Sequence, residues 1–170
     1  MSTTPIQSVA NPRIGILDLG GEDTKILVRS DVAFLRTLFA DVKAVELSAP
    51  QCDVLFLYAH LSPDGVVVGS PVGLRELIRD SGSRVVVVAS PNSSRSYINA
   101  GKQKGYGRAN LVMTLNRHGD SFGRFFSALF SRMRRGISMP MAWIELSPQA
   151  SGEAQPETIF ACEIGPLAFN

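Results

Sequence analysis

Two apolar runs decide the fold of this chain: DVLFLYAHL at residues 53–61 and RVVVVA at residues 84–89. Neither run alternates apolar with polar residues, and the second places four valines in succession. Strands of this composition are typical of sheets whose two faces are both covered, and such sheets are usually parallel. The turn residues PDG at 63–65 end the first run. We therefore expect two buried, parallel strands at the centre of the fold.

Patterned segments on both sides of these runs extend the prediction to alternating strands and helices. Apolar runs predict strands at residues 14–19, 42–47 and 111–115, an extended piece at 25–28, and terminal strands at 141–146 and 158–169. Helices are predicted after the N-capping residues Asp31, Ser70 and either Asp120 or Ser121. The last helix has the strongest pattern, because large apolar side chains recur at helical spacing over residues 122–133. This alternation predicts an α/β fold, a three-layer sandwich around a mostly parallel sheet.

The length of 170 residues and the 45% hydrophobic content fit one domain, which we place at residues 13–170 behind a loose polar tail at residues 1–12. No apolar run approaches the roughly 20 residues that span a bilayer, and no signal-peptide pattern opens the chain. We therefore expect a soluble, cytoplasmic protein with no membrane partner. Two cysteines and two histidines are too few for a disulfide scaffold or a zinc site, so we expect no metal and no cofactor.

Charge is distributed unevenly along the chain, although the net charge is only +2. Residues 102–136 contain eight basic side chains and one acidic side chain, whereas residues 137–170 contain four acidic ones and no basic one. The last predicted helix carries Arg124, Arg132, Arg134 and Arg135. We expect these arginines to bind an acidic protein partner, or the acidic tail of a neighbouring copy in a homo-oligomer. Nucleic acid is disfavoured, because the nearby phenylalanines are at core spacing and cannot stack on bases.

The segment IGILDLGGEDTK at residues 14–25 is similar to the first phosphate loop of the sugar-kinase, heat-shock and actin superfamily. In such a loop, glycine lets the backbone approach a nucleotide phosphate. The motif here has one residue more between Gly15 and Asp18 than the usual loop, and a chain of this length lacks the second domain that such kinases need. We therefore interpret the glycine pair as a hairpin turn.

A candidate catalytic pair lies where the two central strands end. His60 and Ser90 each fall at the carboxyl end of a predicted buried strand, the edge at which open α/β sheets bind their ligands. If the two strands are neighbours, the imidazole can take the hydroxyl proton while the serine oxygen attacks a carbonyl carbon. Local hydrogen bonding at the strand ends explains the same residues without catalysis. On the residues alone, both interpretations stay open.

The order of these segments resembles that of a known family. YAH at residues 58–60, a short helix and VVVVAS at residues 85–90 resemble the histidine strand and the alanine–cysteine strand of the caspase-like fold, especially of the bacterial CHAT family of caspase-like proteases. Residues 107–143 resemble the family's next strand, aspartate turn and amphipathic helix, and TIFACEIGPLAF at residues 158–169 is similar to its closing strand. The resemblance implies a caspase-like sheet, with His60 as the general base and Ser90 at the position of the nucleophilic cysteine.

Three departures from the family bear on catalysis. Ser90 replaces a thiol that ionises far more readily, Pro91 has no N–H with which to stabilise an oxyanion, and Leu61 stands where the family has a glycine. We therefore expect a degenerate peptidase that acts as an interaction or regulatory subunit in a bacterial protease or effector system. The alternative is an active serine peptidase that uses His60 and Ser90, so the sequence leaves enzymatic activity undecided.

A further alternative pairs His118 with Cys162, because HG at residues 118–119 and ACE at residues 161–163 also look like the family's catalytic blocks. The thiolate would be the better nucleophile. Only eight residues follow Cys162, however, which is too few for the strand and helix that normally shape the substrate pocket. A turn histidine and a buried free cysteine are the favoured interpretation, and Cys52 is also interpreted as structural.

Overall fold

The structure, a computed structural model, describes residues 5–90, 92–93, 95–96, 99–100, 110–115, 121–147, 155–160 and 167–170. Its strands are β1 (Gln7–Val9), β2 (Ile14–Asp18), β3 (Val42–Val45), β4 (Val54–Tyr58), β5 (Val85–Ala89), β6 (Asn110–Leu115), β7 (Gln155–Phe160) and β8 (Leu167–Phe169). Its helices are α1 (Glu22–Leu38), α2 (Leu74–Ser81), α3 (Ser121–Arg134) and α4 (Met139–Leu146). The chain therefore has the α/β composition that its sequence predicts.

Six of the strands form one sheet in the order β3-β2-β4-β5-β6-β7. The first five run parallel, and β7 runs antiparallel to β6. β4 and β5, the two runs that predicted central strands, are neighbours, with Val54 opposite Val85 and Leu57 opposite Val88. The prediction of buried, parallel strands is confirmed, and the structure shows that these two strands are neighbours. Because the chain winds from β2 out to β3 and then back to β4, the carboxyl ends of β2 and β4 flank the crevice where such sheets bind ligands.

Both faces of the central strands are covered, which explains why their sequences do not alternate. Every residue of β4 and of β5 is buried. Alternate side chains point to opposite faces, so Phe56 and Val87 pack on one face with side chains of α1, α3 and α4, while Leu57 and Val88 pack on the other with side chains of α2. A strand with no solvent-facing side has no position that favours a polar residue.

The phenylalanine-rich segment forms the helix α3, as its spacing predicted, and its rings pack into the core. The ring of Phe126 lies 5.2 Å from the ring of Phe56 in β4 and 6.0 Å from that of Trp143 in α4, between ring centroids. Both contacts are edge-to-face, the arrangement that aromatic quadrupoles favour. The helix ends before Gly136, whose φ of 84° closes it as predicted.

The start of α1 corrects two predictions. Residues 25–28 are helical and not extended, and Asp31 is buried inside the helix and does not cap it. The helix begins at Glu22 because Gly21, with a φ of 66°, turns the chain out of β2 and straight into the first helical turn. Glu22 and Asp23 then place negative charge at the positive end of the helix dipole. The glycine pair is therefore a strand-to-helix turn, and its interpretation as a hairpin is wrong.

The predicted strand at residues 141–146 is also wrong, because this segment belongs to helix α4. Proline at the start of the helix is favourable, since its fixed φ suits a first helical turn. The buried side chains recur at helical spacing: Met139, Ala142, Trp143 and Leu146. Met141 and Ile144 are apolar too but lie on the exposed side, at 53% and 57% exposure. Apolar residues on both sides of the helix hid its period from sequence reasoning.

The remaining differences concern the ends of elements. α2 begins at Leu74 behind Gly73, later than the predicted cap at Ser70, and it ends at Gly82 as expected. The predicted strand at 158–169 contains two separate strands, since β7 joins the main sheet and β8 pairs in parallel with β1. β1 lies within residues 1–12, which are predicted to be a loose tail. This segment instead contributes a short strand that pairs with β8.

Candidate functional site

Three polar side chains lie along the carboxyl edge of the sheet. Asp18 ends β2, His60 follows β4 and Ser90 follows β5. β2 and β4 stay paired to their ends, because Asp18 lies opposite Tyr58 and the next N–H along β2 donates to the Tyr58 carbonyl at 2.7 Å. β4 and β5 are also neighbours, so His60 and Ser90, the candidate catalytic pair, follow adjacent strands at this edge.

The Ser90 hydroxyl is part of the hydrogen bonding that holds the sheet together. Its oxygen accepts a 2.8 Å hydrogen bond from the backbone N–H of Ala59, and the residue is 0% exposed. This bond joins the chain after β4 to the chain after β5, beyond the last paired residues of their ladder. A nucleophile must present its oxygen to a substrate. In this structure the Ser90 oxygen is enclosed by the protein.

Asn92, which sequence reasoning missed, holds the backbone on both sides of His60. Its Oδ1 accepts a hydrogen bond from the Leu61 N–H at 2.7 Å, and its Nδ2 donates to the Ala59 carbonyl at 3.0 Å. One side-chain amide thus satisfies one backbone donor and one backbone acceptor. We call Ser90 and Asn92 the strand-end clamp. The available signal was an asparagine three residues past the end of a strand, a position from which short polar side chains commonly bond to backbone.

The imidazole of His60 faces Asp23 of α1. Its Nε2 atom is buried and has no hydrogen-bond partner within the described part of the chain, while the side chain as a whole is 38% exposed. The Asp23 Oδ2 atom lies 3.8 Å from Nε2, too far for a hydrogen bond but close enough for an ion pair when the imidazole is protonated. His60 and Ser90 lie at the same edge, but no hydrogen bond joins Nε2 to the serine oxygen.

The backbone amides of the two residues that flank His60 are already engaged in hydrogen bonds. The Leu61 N–H bonds to Asn92, the Ala59 N–H bonds to Ser90, and Pro91 has no N–H. Stabilising an oxyanion requires donors that are free to point at the developing charge. These hydrogen bonds hold the backbone on both sides of His60, and they leave neither the serine oxygen nor these two amides free for a substrate.

Asp18 organises the turn from β2 into α1. Its Oδ1 accepts hydrogen bonds from the Thr24 hydroxyl at 2.5 Å and from the Gly20 N–H at 3.1 Å. Thr24 is buried, so these bonds tie the first turn of α1 to the end of the strand. With Glu22 and Asp23 nearby, three carboxylates surround the start of the helix. They would repel the phosphate that a kinase-like loop binds there.

An open cavity of about 330 Å³ adjoins this turn, between α1 and the ends of β2 and β3. It is lined by Asp18, Leu19, Gly21, Lys25, Glu46, Leu47 and Gly69. The Lys25 ammonium donates a hydrogen bond to Glu22, which raises the pKa of the lysine. The cavity therefore presents two carboxylates, a lysine that is already paired and several apolar atoms.

The four arginines predicted for the last helix differ in their surroundings: three lie in α3, and Arg135 directly follows it. Arg132 forms an ion pair with Glu145 at 3.4 Å. Arg134 donates to the Leu38 carbonyl at 2.8 Å, and its guanidinium lies 5.3 Å from the centre of the Phe39 ring. These two side chains tie α3 to α4 and to the end of α1. Arg124 and Arg135 are exposed at the surface.

The sulfur and metal chemistry of the described residues is limited. Cys52 is buried, and its burial raises the pKa of the thiol to about 12, so it is neutral at physiological pH. No group of three or more potential metal ligands occurs among the described residues. His118 and Cys162, the other proposed catalytic pair, lie outside those residues. No helix within the described ranges combines the length and the apolar character that crossing a membrane requires.

No protein-family model, no curated protein and no solved structure matches this chain. A functional assignment therefore rests on the geometry at the carboxyl edge of the sheet.

Proposed function

We propose that this chain is a caspase-like domain of the CHAT type that lacks peptidase chemistry and acts as an interaction or regulatory subunit in a bacterial protease or effector system. One observation carries the proposal: the Ser90 oxygen accepts a hydrogen bond from the Ala59 N–H inside the protein. The side chain at the family's nucleophile position thus holds two strand ends together. The domain keeps the frame of the site and uses its polar groups for structure.

The layout of the sheet supports the caspase-like part of the proposal. The resemblance implies a histidine strand followed by a nucleophile strand, and His60 and Ser90 follow the adjacent parallel strands β4 and β5. It also implies a later amphipathic helix and a closing strand, and α3 and the antiparallel β7 come in that order. Side chains of α2 pack on one face of the sheet and those of α1 and α3 on the other, which favours a three-layer sandwich.

The energetics of the strand-end clamp support the loss of catalysis. To attack a substrate, the Ser90 oxygen would have to leave the Ala59 N–H, and an unsatisfied buried donor costs about 1–3 kcal/mol. To use the Leu61 N–H for an oxyanion, Asn92 would have to release it at a similar cost. Each turnover would begin by breaking bonds that stabilise the resting domain.

An active serine peptidase remains the second candidate, because His60 Nε2 is buried and without a hydrogen-bond partner in the described chain. In that reaction the Ser90 proton would pass to Nε2 while the oxygen forms a bond to the carbonyl carbon, and Nε2 would return the proton to the leaving amine. The reaction requires the Ser90 side chain to rotate away from its present acceptor position.

A fluorophosphonate probe, which labels reactive serines, tests the two candidates against each other. We expect no labelling of the folded protein under conditions in which a known serine peptidase is labelled completely. We also expect no cleavage of fluorescent casein, and the same background from Ser90→Ala and His60→Ala. Labelling that is present in the unaltered protein and disappears in both variants would establish the peptidase.

The basic helix supports a different role, the docking of an acidic partner through α3. The exposure of Arg124 and Arg135 favours it, whereas Arg132 and Arg134 are engaged in internal contacts. Fluorescence anisotropy with a labelled polyglutamate probe measures this binding. Surface electrostatics predict that the double variant Arg124→Glu, Arg135→Glu loses binding at low salt. The control Lys43→Glu, on the edge strand β3, should keep its binding. Equal losses in both variants would refute the assignment to this helix.

A further inference from the structure

We propose that the free edge of β3 and the acidic cavity beside it bind an extended segment of a partner protein that carries a lysine or arginine among apolar residues. The proposal deepens the interaction role proposed above by naming a surface and the chemistry of its partner, and it rests on that role. Three features carry it: an open strand edge, exposed apolar side chains next to the edge, and a local excess of carboxylates.

β3 is the last strand of its sheet on one side, and among the described residues only β2 pairs with it. The Ile14 N–H of β2 donates to the Asp41 carbonyl at 2.9 Å. The backbone N–H and C=O groups of the odd-numbered residues of this segment therefore point towards β2. Successive residues of a strand direct their backbone groups to alternate sides. The N–H and C=O groups of Val42 and Ala44 therefore point away from the sheet, where an added strand could bond to them.

The apolar surface beside this edge is larger than an isolated exposed residue would give. Leu47, just past the end of β3, is 93% exposed and lines the cavity. Val68, next to the cavity-lining Gly69, is 54% exposed. A strand bound along β3 would reach the cavity at its far end and could cover both side chains. Apolar surface grouped at a cavity commonly marks a site of interaction.

The charge around the cavity selects the kind of partner. Asp18 and Glu46 line it, and Glu22 and Asp23 lie at the adjoining helix start, against the positive charges of Lys25 in the lining and of Lys43 on β3. The hydrogen bonds that Asp18 accepts come from uncharged groups. A lysine or arginine side chain would meet complementary charge here.

The experiment uses a fluorescein-labelled, end-capped probe peptide of sequence Thr-Val-Arg-Val-Thr-Val-Thr and the full chain, read by fluorescence anisotropy. Saturable binding is expected, and the same peptide with Glu in place of Arg should bind at least about fivefold more weakly. A probe N-methylated at every backbone nitrogen has no N–H to donate from either edge and should lose binding by about tenfold or more. This comparison requires no change in the protein, so it stands even if a variant fails to fold.

Two matched sets of variants locate the site on the protein. Ala44→Pro removes an outward N–H without removing a bond to β2, and it should weaken binding about tenfold. Glu46→Gln removes one charge at the cavity and should weaken binding about threefold. Its control, Asp80→Asn, removes one charge from the last turn of α2, at the amino end of the strands, and should have no effect. Hydrogen exchange should show the Val42 and Ala44 amides protected when the probe is bound.

Failure to saturate, equal affinity of the N-methylated probe, or equal effects of Glu46→Gln and Asp80→Asn would each overturn the proposal. Dimerisation in sedimentation velocity that Ala44→Pro abolishes would also overturn it, in favour of a second copy as the occupant. None of these outcomes depends on the reactivity of Ser90. The fluorophosphonate test therefore decides on peptidase chemistry separately from the outcome of this binding test.

Discussion

Replacing Ser90 with alanine separates a structural serine from a catalytic one through stability alone. The substitution removes the acceptor of the 2.8 Å hydrogen bond from the Ala59 N–H at a position with no solvent exposure. No water reaches the orphaned donor in its place, so the free energy of unfolding should fall by about 1–3 kcal/mol. With roughly 2.1 cal/mol/K of unfolding entropy per residue over 170 residues, this corresponds to a fall in Tm of about 3–8 °C.

Urea and thermal unfolding, followed by circular dichroism, measure the change. The matched control is Ser62→Ala, because the Ser62 hydroxyl also accepts from a backbone N–H, at 3.1 Å, but at an exposed position where water can replace it. We expect the control to lose less than about 0.5 kcal/mol. Hydrogen exchange of the Ala59 amide should accelerate only in Ser90→Ala. If Ser90→Ala is as stable as the control, the serine oxygen does not stabilise the strand ends, and the proposal that Ser90 has a structural role is wrong.

Three further perturbations test other parts of the structure. Burial raises the Cys52 pKa from 9.0 to about 12, so the folded state keeps a proton that the unfolded chain loses. The stabilisation is complete below pH 9 and declines as pH rises towards 12, by up to about 1.4 kcal/mol per pH unit. Urea unfolding between pH 8 and 10.5 should show this decline, and Cys52→Ala should lack its contribution. Gly65→Ala should cost at least about 2 kcal/mol more than Gly69→Ala. Both glycines have positive φ, but a methyl group at Gly65 would lie 2.1 Å from the backbone nitrogen of Ala100, whereas one at Gly69 would meet open space. Equal losses of stability would contradict that contact. Arg134→Ala should destabilise the protein by about 1 kcal/mol, because its guanidinium holds the carbonyl at the end of α1, and Arg135→Ala should be within about 0.5 kcal/mol of the unaltered protein. Thermal unfolding checks the pair, and the opposite order would refute the assigned contact.

The central sheet and the carboxyl-edge position of the candidate residues could be predicted because they depend on local composition. Four consecutive valines require cover on both faces, and His60 and Ser90 come directly after such runs. Two predictions fail for different reasons. In α4 the exposed Met141 and Ile144 obscure the helical period, whereas the start of α1 depends on the φ of Gly21, which the sequence does not reveal.

The sequence also predicts where the charges lie along the chain, but not which contacts they form. Sequence counts placed a strong positive charge on the last predicted helix, but they could not show that Arg134 would reach the end of α1 or that Arg132 would meet Glu145. Those contacts join residues far apart in the chain. The acidic surroundings of the cavity likewise come from Asp18, the last residue of β2, and Glu46, which follows β3.

Local composition is enough to predict buried, parallel strands, because residues apolar at every position of a strand are stable only with both faces covered. It also shows which side chains follow those strands. What these side chains do depends on contacts that form when the chain folds. A serine after a strand can attack a substrate or accept a backbone hydrogen bond, and the difference is set by which N–H the adjacent strand brings within 2.8 Å of its oxygen. That N–H belongs to Ala59, which is 31 residues away along the chain and becomes a neighbour only when β4 and β5 pair.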